Sequence, residues 1–139
     1  MLLTGVLLIL PPYINENRTT AVVVYVRDSA SNACAYLNTG VIMNGSEYQP
    51  LDNIIKANNY TYGGFQVTRI DSTETAGRIV VNVTITYLLS GLPKASLEGN
   101  ITKFIEDDLV SKTNVRKGEN GKLYLSGKEV EINVTAVRR

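Results

Sequence analysis

Residues 77–89 read GRIVVNVTITYLL, and in an extended chain Val81, Val83, Ile85 and Tyr87 point one way while Asn82, Thr84 and Thr86 point the other. A period of two with one apolar face predicts a strand that covers a core on one side and meets water on the other. Glu129 to Val137 repeats the pattern, with Val130, Ile132, Val134 and Ala136 opposed to Glu131, Asn133 and Thr135. Between these two strands the period changes. Leu92-Pro93 opens a segment in which Leu97, Ile101, Phe104, Ile105 and Leu109 fall on one stripe at helical spacing, predicting a helix over about 93–110. Gly118-Glu-Asn-Gly121 and Ser126-Gly127 mark turns around two closing strands.

Working back from residue 77, the polar turn 71–76 (DSTETA) joins a strand that begins at Phe65. Pro50 with Leu51, Ile54 and Ile55 at one-turn spacing predicts a short helix over about 50–58. Ala33 to Met43 reads as one broken strand or two short ones before the hairpin dipeptide Asn44-Gly45. Asp28 to Asn32 (DSASN) is turn material. Thr20 to Arg27 (TAVVVYVR), β-branched and apolar on both faces, reads as a central strand. The expected fold class is α+β: a mainly antiparallel sheet with one longer and one short helix in a split β-α-β-like order. An all-β sandwich is the alternative if the 50–58 region is a loop.

With 139 residues, 44% apolar and 19% charged, the chain is large enough for one core without staples. We divide it into an apolar amino-terminal segment, residues 1–12, and one β-rich globular domain, residues 13–139. Fourteen basic against thirteen acidic side chains leave a net charge of +1, so no electrostatic footprint for nucleic acid is expected. Histidine is absent, which removes the commonest general base and metal ligand. No nucleophile elbow, phosphate-cradling loop or paired-cysteine metal site is present, so neither an enzyme nor a cofactor is expected. Cys34 is the sole cysteine. In Glu106-Asp107-Asp108, the last carboxylate falls on the apolar stripe, where it must escape to solvent or pair with Lys or Arg.

Two features remain. The first is MLLTGVLLIL at residues 1–10, closed by Pro11-Pro12. Ten apolar residues fall short of the roughly 20 that a membrane helix needs, so no stable span is expected. Leu2, Leu3, Val6, Leu7, Leu8, Ile9 and Leu10 are expected to be covered, as a strand of the domain's own sheet or as a donor strand added to a neighbouring copy. The second is six Asn-x-Ser/Thr triplets, at Asn17, Asn44, Asn59, Asn82, Asn100 and Asn133, where chance in this composition gives about two. They are candidate N-glycosylation sites. Together these features lead us to expect a non-enzymatic structural subunit of an extracellular or cell-surface assembly. Such a subunit is pilus-like or part of an envelope layer, a homo-oligomer or polymer joined by β-strand addition. The alternative is a ligand- or glycan-binding surface module of a cell or virion, with Tyr60, Tyr62 and Gly63-Gly64 as its contact loop.

Overall fold

A computed structural model describes residues 11–43, 45–89 and 91–139, with backbone alone for 11–19 and for residue 46. Helix α1 runs Pro11–Thr39; a 3-10 turn at Ser46–Tyr48 leads into α2, Gln49–Ala57. Strands β1 (Gln66–Thr75) and β2 (Arg78–Tyr87) form a hairpin, and α3 (Lys94–Lys112) follows. Three strands complete the order: β3 (Arg116–Lys117), β4 (Leu123–Leu125) and β5 (Lys128–Arg138). The sheet order is β1-β2-β5-β4-β3. Only the central β2–β5 pair is parallel, so the expected α+β class with a mainly antiparallel sheet holds. Because β2 and β5 lie side by side, the β2-α3-β5 crossover is unsplit.

The alternation read in the sequence sets the layers. Ile79, Val81, Val83, Ile85 and Tyr87 of β2 and Val130, Ile132, Val134 and Ala136 of β5 are buried beneath the helices. Their outward neighbours form a polar face open to solvent. Helix α3 buries the predicted stripe Leu97, Ile101, Phe104, Ile105 and Leu109. Helix α2 starts one residue ahead of the expected range, with Pro50 in its first turn, where the missing N–H needs no partner.

Helix α1 corrects the reading of residues 20–43. Thr20 to Arg27 is not a central strand, 28–32 is not a turn, and 33–39 is not a strand; all belong to one helix. Val22, Val26, Ala30, Ala33 and Leu37 recur every three or four residues and are buried against the sheet and α3. Tertiary burial of that stripe overrides the β-branched propensity of Val22-Val23-Val24, which is a small preference per residue. Ala30 and Ala33, with their short side chains, let the helix approach closely. Pro11 and Pro12, read as a stop, stand in the first turn of α1, so the helix crosses the boundary drawn at residue 12. Gly40 ends α1 with φ +65°, a conformation that glycine adopts without penalty. At 1.5 Å per residue, 29 residues make α1 about 43 Å long.

Two details position the surfaces described next. Strand β4 pairs with β5 only over Lys128–Val130. On the stretch beyond it, Glu98 of α3 accepts the Ala136 N–H at 2.8 Å. Strand β1 forms the sheet's other edge and is largely exposed. No described helix is long and apolar enough to cross a membrane.

Candidate functional site

Helices α1 and α3 run antiparallel, and polar side chains stitch their contact. Ser29 Oγ donates to Asp108 Oδ2, and Lys112 Nζ, one turn along α3, meets Asp108 Oδ1 at 2.9 Å. The carboxylate on the apolar stripe therefore pairs, one of its two expected resolutions. The same contact raises the pKa of Lys112, chiefly through its hydrogen bond to Asp108. Burial pushes the neighbouring Glu106 carboxyl upward.

Further along α1, Tyr36 stacks on Tyr48 with ring centres 4.3 Å apart, and Tyr48 lies 6.1 Å from Phe104. The Tyr36 hydroxyl donates to buried Asp52 at 2.5 Å and accepts the Met43 N–H at 2.8 Å. Burial, then the Asp52 acceptor, raises the phenol's pKa above its ordinary value. Tyr36→Phe removes both bonds and leaves a carboxylate and an N–H short of a partner. We expect a loss of about 1–3 kcal/mol in urea unfolding. A loss below 0.5 kcal/mol would show that water replaces the hydroxyl at no cost. Two hollows of about 390 Å³ each flank the α1–α3 seam. One is lined by Ala21, Val22, Tyr25 and residues 111–115, the other by Asn32, Tyr36, Tyr48, Phe104 and Asp108, with Lys112 on the rim of both.

The outward sheet face carries a polar ladder across three strands. Arg69 pairs with Asp71 at 3.1 Å, and Asn82 donates to Asp71 at 3.0 Å. Asn133, directly beside Asn82 in the parallel register, donates to Asn82 Oδ1 and to Glu131, which also pairs with Arg78. Two of the candidate glycosylation asparagines thus stand side by side. Both Nδ2 hydrogens of Asn133 are engaged, so a sugar there must displace one bond. Asn100 on α3 donates to Ser96. Asn59 is exposed in the 58–61 turn with φ 55°, as Asn133 is on β5, whereas Asn82 and Asn100 are half-buried. Asn17 lies in α1, where only the backbone is described, and Asn44 and the apolar residues Leu2, Leu3, Val6, Leu7, Leu8, Ile9 and Leu10 lie outside the described residues.

At the end of the sheet where β2 and β5 finish, the surface turns apolar. Val41, Met43, Tyr60, Tyr62 and Leu88 are each more than half exposed, and Val137 adds a sixth exposed side chain. The backbone places them together. A Cβ on Gly40 would come within 2.7 Å of the Tyr60 carbonyl oxygen, so only glycine lets the α1 exit lie against the 58–62 turn. Gly63 O accepts the Leu88 N–H at 2.9 Å, and Arg139 donates to Gly64 O at 2.7 Å. Asn38 holds both polar groups of the Phe65 backbone, fixing the end of α1 to the start of β1. Tyr60 and Tyr62, singled out in the sequence together with the glycine pair, are exposed. Val41, Met43 and Leu88 were not singled out in the sequence; the break in alternation at Leu88-Leu89 is the signal that marks Leu88.

Comparison with protein-family models, with curated proteins and with solved structures finds no match. Among the described residues, no group of three His, Cys, Asp or Glu side chains converges as a metal site.

Proposed function

We propose that this chain is a non-enzymatic structural subunit of an extracellular assembly, a pilus-like filament or surface layer. In this reading the apolar segment at residues 2–10 of each copy docks on its neighbour. One observation supports it above the others: the molecule is polar along its length. MLLTGVLLIL leads into one end of a helix about 43 Å long, whose other end is packed into the domain. The cluster of asparagine acceptors and the nearly neutral exterior fit a surface exposed outside the cell.

The test is the oligomeric state of the full chain against a Leu3→Asp/Leu8→Asp variant. Sedimentation velocity is expected to show multimers for the former and a 15.2 kDa monomer for the latter. A full chain that stays monomeric at high concentration, or a variant that assembles equally, overturns the reading. The exposed Tyr60 and Tyr62 favour the second reading, a glycan-binding module. Glycan-array binding by the assembly-defective variant would support that one instead. Intact mass of material from its native host reports which acceptor asparagines carry sugar.

A further inference from the structure

Resting on that reading, we infer that the apolar end patch of Val41, Met43, Tyr60, Tyr62 and Leu88 receives the residue 2–10 segment of a second copy. Of the eight large hydrophobic side chains exposed among the described residues, six lie on or beside the segments joined by the Gly40–Tyr60, Gly63–Leu88 and Gly64–Arg139 contacts. A concentration of apolar surface on an otherwise polar domain marks a contact site rather than the ordinary scatter of exposed hydrophobes. Chain length decides which copy supplies the occupant. Gly40, against the Tyr60 carbonyl, is a whole helix away from Pro11, about 43 Å at 1.5 Å per residue. Ten residues, even fully extended, span at most about 36 Å. The segment that precedes Pro11 therefore falls short of the patch on its own molecule, and a second copy can satisfy both. Donor and acceptor are different surfaces at opposite ends, which is a heterologous contact. Repeated from copy to copy it grows an open chain rather than a closed dimer.

The experiment uses two full-length variants. One carries Met43→Asp/Leu88→Asp in the patch, both surface positions whose change leaves the core intact. The other is the Leu3→Asp/Leu8→Asp segment variant. Each alone is expected to sediment as a monomer, with association at least tenfold weaker than in the unaltered chain. Mixed in equal amounts, they are expected to form a dimer and nothing longer, because each retains the half that the other lacks. Near-UV circular dichroism checks that both are folded, and Tyr62→Ser provides a milder patch variant. A patch variant that assembles like the unaltered chain sinks the patch as receiver while leaving segment-driven assembly standing. A mixture that stays monomeric likewise overturns the pairing. If the segment variant itself assembles normally, the underlying assembly reading fails first. A cysteine pair closes the test: on a Cys34→Ala background, Leu8→Cys mixed with Tyr62→Cys should give a disulfide-linked heterodimer. Exclusive linkage of Leu8→Cys to itself would place the segments against one another and overturn the inference.

Discussion

Ile101→Ala is expected to remove about 2–5 kcal/mol of folding stability. Ile101 has no exposed surface and sits at the middle of the α3 stripe. It is surrounded by the same core that buries Val26, Ala30, Ile54 and Val134. The truncation forfeits the transfer free energy of three carbons and leaves a hole that rigid neighbours close only in part. A domain of this size holds roughly 5–15 kcal/mol in total, so the loss is a large fraction of it. Urea unfolding should show the midpoint falling with an unchanged slope, and the thermal midpoint should drop by about 10 °C. A loss under 1 kcal/mol would mean that α3 is not packed as described.

The second large effect is alkaline. Cys34 is 5% exposed on the inner side of α1, and burial pushes its thiol from 9.0 up to about 12. A folded pKa above the unfolded one means that the native state keeps a proton which the unfolded chain releases. The thiol's contribution is therefore complete below pH 9 and is lost as pH rises from 9 towards 12, by at most about 1.4 kcal/mol per pH unit. The Tyr36 phenol acts in the same direction above pH 10, since its pKa too is raised. Because other tyrosines and lysines titrate there as well, the informative quantity is the stability gap between the unaltered chain and Cys34→Ala. Between pH 8 and 10.5 that gap should shift by about 2 kcal/mol in favour of the variant. A gap that stays constant would place the thiol in contact with water.

How far residues speak for themselves differs along the chain. Strands β2 and β5 and the α3 stripe were legible because each buries one face, and one buried face imprints a single period on the sequence. Pro50 and the Leu51, Ile54, Ile55 spacing marked α2 for the same reason. Helix α1 was not legible in this way. Its buried stripe runs through Ser29, Ala30, Ala33 and Cys34, small side chains that contribute little hydrophobic contrast. The exposed Val24 and Tyr25 meanwhile add apolar residues off the stripe. Asp28 to Asn32 looks like a turn because Asp, Ser and Asn compete for backbone hydrogen bonds. Here Ser29 is instead committed to Asp108, seventy-nine residues away, and no local rule anticipates that bond. Of the candidate site, the tyrosine loop was visible as exposed aromatic rings beside glycines. The joining of Val41, Met43 and Leu88 to it depends on α1 ending at Gly40, so misreading α1 hid the patch.

The position of β5 bears on how the molecule comes into being. Last of the five described strands to leave the ribosome, it takes the central place in the sheet, pairing Arg78 with Glu129 and Tyr87 with Arg138 across about fifty intervening residues. Until it arrives, the β1–β2 and β3–β4 ribbons have no shared border, and the inner flank of β2 stands bare. Until β5 has emerged, the nascent chain carries an unclosed seam, the stage at which a chaperone that shields strand borders would be needed most.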